Sequence, residues 1–117
     1  MYYLDDNGTV VRLYYLVKND PPLIGELLSR AARGLPVSDD PVAQRWTTGV
    51  SMNATPDQVR ATAARFVRTR WRFIAALDLP TNGQEIQIQR TSGSIGHFTI
   101  WGDPDELHRC VIVVSPI

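Results

Sequence analysis

The sequence predicts an α+β domain with a mostly antiparallel sheet of five to six strands, in the order β-β-α-β-α-β-β-β, and two helices packed on that sheet. Short runs rich in aromatic and β-branched residues alternate with turn residues, which is typical of strands. The predicted helix starts share one sequence pattern, a capping residue followed by proline. The 117 residues, 44% of them hydrophobic, suffice for one core and are too few for two. We therefore expect residues 1–117 to form a single domain.

The first two strands are predicted as a hairpin. Residues 2–4 and 9–17 are rich in tyrosine, valine and leucine, and they flank the segment DDNG. Within it, Asn7-Gly8 suits the type I′ turn that joins hairpin strands. The second strand is mostly apolar on both faces, so we expect it to lie centrally in the sheet or to meet a partner on one face.

Four helix starts follow along the chain, and each places a capping residue directly before proline. The residue before proline avoids the helical region, as an N-cap must. The predicted helices are one over residues 21–34, a short one after Asp40, a long one from the capping box at Thr55 to about Leu77, and a single turn after Asp103.

The remaining strands are predicted from alternation and turn residues. Residues 44–52 are a candidate strand between the two main helices. Residues 85–90 alternate cleanly, with isoleucine on one face and glutamine on the other. Residues 95–102 and 109–117 are predicted to form a C-terminal hairpin, joined through the segment DPDEL.

Basic and aromatic residues are interleaved in the segment ARFVRTRWRF, residues 64–73. On a helical wheel its aromatic residues fall on an apolar stripe, while the outer arginines face the other way. Such a basic face is either solvated or binds an anion or an acidic partner. It has few rings beside it on which nucleic-acid bases could stack. The candidate basic face comprises Arg60, Arg65, Arg68 and Arg72.

Arg70 falls within the apolar stripe of the same predicted helix. A buried arginine stays charged, so it needs a carboxylate or an anion, or it must extend its head group to water. The candidate carboxylates are Asp5, Asp6, Asp78 and Glu85. The alternative is a pocket between helix and sheet that holds a small carboxylate or phosphate. Its candidate ligand-binding residues are Arg70, Arg12, Tyr14, His97 and Trp101.

Residues with catalytic or metal-binding side chains are concentrated between positions 97 and 110. The predicted hairpin would set Cys110 across from Thr99, with His97 diagonal to it. The spacing matches no zinc pattern, and the carboxylates suffice as helix caps. We therefore predict no metal, no cofactor and no catalytic residue in this group, which comprises His97, Asp103, Asp105, Glu106, His108 and Cys110.

Four tyrosines are expected on the N-terminal hairpin, two on each strand. Tyrosine is favoured where the ring is buried against apolar groups and its hydroxyl contacts water, as in protein interfaces. Ordinary cross-strand packing explains the tyrosines equally well. The candidate interface residues are Tyr2, Tyr3, Tyr14 and Tyr15.

Overall composition narrows the class of protein. Twelve basic and twelve acidic residues cancel, which argues against a dedicated nucleic-acid-binding protein. A single cysteine, no signal-peptide pattern and no apolar run of about 20 residues predict a soluble, cytoplasmic protein with no membrane contact. We expect a non-enzymatic binding or protein-interaction module (an inhibitor, immunity-type or accessory protein) with a protein partner or a homo-oligomer. The alternative is a protein or enzyme that binds an anionic or aromatic small molecule in a pocket between the sheet and the long helix near Arg70, and nucleic-acid contact through the arginine helix ranks third.

Overall fold

The computed structural model describes residues 10–29, 31–34, 39–66, 68, 70–81, 86–90 and 96–117. A six-stranded antiparallel sheet organises these residues, in the order β4-β5-β2-β1-β3-β6. The strands are β1 (Val10–Val17), β2 (Val50–Asn53), β3 (Phe73–Pro80), β4 (Gln87–Arg90), β5 (His97–Trp101) and β6 (Val111–Pro116). The helices are α1 (Pro41–Thr47), α2 (Pro56–Arg65) and α3 (Pro104–Arg109), and a 3₁₀ turn spans Ile24–Leu27. The predicted α+β class and its order of strands and helices are confirmed.

The main core lies on one side of the sheet, which we call the core face. Leu13 of β1, Leu77 of β3 and Ile100 of β5 meet there with no exposed surface. Leu27 of the 3₁₀ turn and Leu107 of α3 cover them. On the opposite face, α2 forms a second, smaller cluster comprising Leu16, Val59 and Ile74, with Tyr14, Ala63 and Trp71 packed against it. Helical elements therefore cover both sides of the central strands.

β1 is a central strand, as its two apolar faces predicted, because it pairs with β3 along its whole length and with β2 at Tyr14. The predicted hairpin partner in residues 2–4 lies outside the described residues. So do Tyr2 and Tyr3 of the candidate interface.

The prediction of a long helix to Leu77 is wrong. α2 begins at the predicted capping box, where the Thr55 hydroxyl accepts from the Gln58 backbone N–H at 3.3 Å, but it ends at Arg65. Residues 73–80 form β3, which lies between β1 and β6. A strand covered on both faces is a continuous apolar run, and periodicity alone does not separate such a run from a buried helix.

The predicted helix over residues 21–34 is also wrong, because the described part of this segment holds a 3₁₀ turn over Ile24–Leu27 and no α-helix. The Glu26 carboxylate accepts from the backbone N–H groups of Lys18 and Leu23, and its backbone carbonyl accepts from the Tyr15 hydroxyl. These bonds hold the segment in a tight turn against β1. Likewise, residues 44–47 belong to α1, so the strand predicted over 44–52 is limited to β2.

The predicted C-terminal hairpin is wrong as well. β5 pairs with β2 and β4, whereas β6 pairs with β3 at the far edge, so three strands separate the two. The connection between them is therefore a crossover. α3 lies within it and buries Leu107 completely in the core. Among the described residues, no helix has the length and apolar character needed to cross a bilayer.

Candidate functional site

The structure does not bring the five predicted ligand-binding residues together in one pocket. Arg70 lies beyond the end of α2, is exposed, and has a left-handed backbone with φ 59°. Its predicted place in an apolar helix stripe is therefore wrong, and no ion pair involves it among the described residues. Asp78, one of its four candidate partners, pairs with Arg12 instead. The Arg12 guanidinium donates to both carboxylate oxygens of Asp78, at 2.8 and 3.0 Å.

Tyr14 and His97 lie in one row across the opposite face, since Tyr14 pairs with Asn53 and Asn53 with His97. The Tyr14 ring packs into the cluster beneath α2. Burial lowers the pKa of His97 below its ordinary value, which favours the neutral imidazole at neutral pH. The row is part of the packing around α2, and its ligand-binding role stays a prediction.

Trp101, the fifth candidate, lines a cleft of about 540 Å³. Its indole N–H donates to the Thr48 hydroxyl at 2.9 Å, and the Arg45 guanidinium lies 4.7 Å from the ring centroid. Arg45 also donates to the Gln89 side-chain oxygen at 2.8 Å. These contacts anchor the ring and one amide at the cleft. The described lining consists of Val11, Thr81, Ile86, Gln87, Ile88, Gln89 and Trp101, and none of these residues is charged.

A second cleft of about 280 Å³ lies between β1, the 3₁₀ turn and Trp71. Its polar groups are used locally, because Tyr15 and Arg33 both donate to the Glu26 backbone carbonyl, at 2.7 and 2.8 Å. Burial raises the pKa of Tyr15, so its hydroxyl stays protonated as a donor. The cleft is slightly smaller than typical ligand pockets, which begin at about 300 Å³. We therefore interpret this region as a turn stabilised by hydrogen bonds and not as a binding site.

The two described tyrosines of the candidate interface pack internally. Tyr14 contacts the cluster under α2, and Tyr15 contacts the main core. Both are partly exposed, but they point to opposite faces of β1, so they form no common patch.

The candidate basic face does not form on one helix. Arg60 and Arg65 lie on α2, where Arg60 pairs with Asp57 at 3.0 Å and Arg65 lies against the Phe66 ring. Arg68 and Arg72 follow the end of α2, and Arg72 is tied to β1 by its backbone N–H. All four are exposed. Nucleic-acid binding stays a prediction, without the shared face that motivated it.

His97, His108 and Cys110 are not neighbours in the way the predicted hairpin required. β5 and β6 lie apart, so Cys110 does not face Thr99. His108 bonds the Pro22 carbonyl oxygen through Nε2 at 2.8 Å, and the Cys110 thiol donates to the Glu106 carbonyl at 3.3 Å. Burial, together with the Glu106 and Asp78 carboxylates, raises the pKa of Cys110. Among the described residues, no group of three or more histidine, cysteine or acidic side chains could hold a metal ion.

One feature that the sequence analysis missed is the β6 edge of the sheet. Among the described strands, β6 pairs only with β3, and its Ile112 and Val113 side chains are 47% and 53% exposed. Residues 111–117 carry no charge. The other edge, β4, is polar and exposes Gln87, Gln89 and Arg90. The uncharged run of valine and isoleucine could have indicated an exposed apolar edge. The edge was not predicted, because the predicted hairpin placed a second strand beside β6.

Comparison with known proteins adds no family, because no family model, no curated protein and no solved structure matches the chain. Two features of the described residues bear on function, the β6 edge and the Trp101 cleft.

Proposed function

We propose that the chain is a non-enzymatic protein-interaction module, and that its partner is a second copy of the same chain, bound by antiparallel pairing of the two β6 edges. The observation that carries this proposal is the uncharged strand β6, which pairs only with β3 among the described strands and exposes Ile112 and Val113. An edge strand offers a row of unpaired backbone N–H and C=O groups, and natural proteins usually protect such edges with charged residues. The single cysteine favours a reducing compartment such as the cytoplasm.

Self-pairing fits this edge better than pairing with the other edge of the sheet. Two β6 strands bring valine and isoleucine side chains together and meet no like charges, since neither strand carries a charge. A β6–β4 contact would set apolar side chains against two glutamines and Arg90. It would also be a head-to-tail contact that can repeat without closing, whereas a two-fold β6–β6 contact closes as a dimer.

A pair of six-residue strands buries less surface than the roughly 1,200–2,000 Å² of stable interfaces, so the dimer is expected to be weak. Sedimentation equilibrium over a concentration series extending to the high micromolar range measures the mass directly. We expect the wild-type mass to rise from that of one chain toward that of two.

The test uses two edge variants and one control. Val113→Lys and Ile112→Lys each place a charge on an exposed position of β6, so both should stay monomeric with an unchanged far-UV circular dichroism spectrum. Using both keeps the test decisive if one variant fails to fold. Gln87→Lys adds the same charge at the β4 edge and should dimerise like the wild type. A wild type that stays monomeric throughout the series, or folded β6 variants that dimerise as the wild type does, would refute the proposal.

A further inference from the structure

The Trp101 cleft has the size of a small-molecule site, and it is separate from the β6 edge. Its volume of about 540 Å³ lies within the range of roughly 300–1,000 Å³ that is usual for ligand pockets. Val11, Ile86 and Ile88 give it apolar walls, and Trp101 adds an aromatic one. Pockets of this kind bury the apolar body of a ligand and use a few polar groups to orient it.

A cation is held at the edge of this cleft. The guanidinium of Arg45, in the last turn of α1, lies over the Trp101 ring at 4.7 Å from its centroid. It also donates to the Gln89 side-chain oxygen at 2.8 Å. The ring beneath it is fixed in turn, because the Trp101 indole N–H donates to the Thr48 hydroxyl at 2.9 Å. Since Trp101 and Gln89 both line the cleft, the positive charge lies directly beside it.

The Arg45 guanidinium keeps hydrogen-bond donors for a ligand. It has five N–H donors in one plane, and the bond to Gln89 uses one of them. Stacking on the indole covers a face of the guanidinium and leaves its edge, which carries the N–H groups, for an anion. No carboxylate pairs with Arg45 among the described residues. The NH₂ group of Gln89 adds a donor next to the oxygen that Arg45 binds.

A carboxylate matches this arrangement of donors. Guanidinium and carboxylate groups are both planar, and two parallel N–H···O bonds can join them. A guanidinium that a ring and an amide already hold loses little further freedom when such bonds form. The charge of the ligand would be paired there and stay near water, because Arg45 is exposed, whereas the apolar walls favour an apolar body. The favoured ligand is therefore charged at one end and apolar at the other.

We propose that the Trp101 cleft binds a small carboxylate with an apolar body, with the carboxylate on Arg45 and the body against Ile86 and Ile88. The ligand class is an aromatic or branched-chain monocarboxylate. The anion predicted near Arg70 would thus bind at Arg45 instead. Binding does not depend on dimerisation through β6, so either proposal can fail alone.

Three probes separate the charge from the apolar body. They are 3-phenylpropionate, its uncharged amide 3-phenylpropionamide, and acetate, each titrated into the full ¹⁵N-labelled chain at pH 7 and followed by two-dimensional NMR. We expect 3-phenylpropionate to bind with a Kd on the order of 1 mM. The amide lacks the charge and acetate lacks the ring, so each should bind at least about threefold more weakly. An amide or an acetate that binds as tightly as 3-phenylpropionate would contradict the proposal.

Two variants and a matched control test the role of Arg45. Arg45→Gln removes the charge and should abolish the preference for the acid over the amide. Arg45→Lys keeps the charge without the planar set of donors, so it should retain only part of that preference. Arg65→Gln is the control, because Arg65 lies in the last turn of α2, 5.5 Å from the Phe66 ring centroid, and outside the cleft lining. It should keep the full preference.

The indole N–H resonances locate the ligand. That of Trp101, assigned by its loss in Trp101→Phe, should shift on addition of 3-phenylpropionate, while that of Trp71, in the second cleft, should not. Far-UV circular dichroism identifies the variants that fold. Three results would overturn the proposal: no binding to the wild type, shifts at Trp71 without shifts at Trp101, or a preference for the acid that is unchanged in a folded Arg45 variant.

Discussion

The ion pair between Arg12 and Asp78 joins the two longest strands of the sheet, and a double-mutant cycle measures what it contributes. The residues lie directly opposite each other on β1 and β3, and the guanidinium bonds both carboxylate oxygens. The cycle compares Arg12→Met, Asp78→Asn and the double variant with the wild type. Arg60→Met serves as the control, because its pair with Asp57 lies on the exposed surface of α2.

The expected magnitude follows from the geometry and the exposure. Hydrogen bonds to charged groups contribute about 1.5–3 kcal/mol when buried, whereas exposed ion pairs contribute about 0.2–1 kcal/mol. The two side chains are 33% and 26% exposed, so solvent screening reduces their contribution from the buried limit. We expect a coupling energy of about 1 kcal/mol and single-variant losses of about 1–2 kcal/mol in the free energy of unfolding. In a chain of this length, each kcal/mol lowers Tm by about 4 °C.

Urea denaturation followed by far-UV circular dichroism at pH 7 gives the four free energies of unfolding. The control Arg60→Met should change this free energy by less than about 0.5 kcal/mol. A coupling energy no larger than about 0.3 kcal/mol, or a loss in Arg12→Met equal to that of the control, would show that the bidentate pair is effectively solvated and that our reasoning is wrong.

Three further predictions concern packing and titration. Gly49→Ala would place a methyl carbon 2.5 Å from the Thr99 side chain, so we expect a loss of about 1–3 kcal/mol by urea denaturation, against little change in Gly25→Ala, where the space is open. Because burial lowers the pKa of His97 in the folded state, the unfolded chain binds more protons as pH falls below about 6.5, and the free energy of unfolding should fall with it. His97→Gln should flatten that profile between about pH 7 and 5, and parallel profiles for the two proteins would count against this. The raised pKa of Cys110 predicts slower reaction with a disulfide reagent at pH 7.5 in the folded protein than in urea, and equal rates would contradict it.

Local chemistry predicted three of the four helix starts, because a helix N-terminus is specified by a few adjacent residues, whereas the start predicted after Asp20 was wrong. The Thr55 capping box and the Asp103 cap both form, and α1 begins after Asp40 as expected. The helix ends were harder to predict. Nothing local distinguishes the apolar run FIAALDLP as a strand rather than a helix, since its conformation is decided by β1 and β6, which lie far away in sequence.

The candidate sites were predicted less well, because they depend on strand order. Trp101 lines a cleft, and its predicted ligand-binding role stays a prediction, but Gln87 and Gln89 lie beside it only through the pairing of β4 with β5. Arg70 was selected for a helix face that does not exist. The edge position of β6 also depends on a long-range pairing, with β3, that no short-range pattern encodes.

The pairing of β6 with β3 also bears on how the native state opens. β3 is more buried than β6. In the described sheet, β6 pairs with the edge of β3 that faces away from β1, and β6 itself is largely exposed. Strands with exposed backbone hydrogen bonds and few buried contacts open at a lower free energy than the whole domain. Transient release of β6 would therefore uncover the backbone of an almost wholly apolar strand, a species prone to aggregation long before global unfolding. Native-state hydrogen exchange should find the backbone amides of residues 111–115 exchanging well before those of β1.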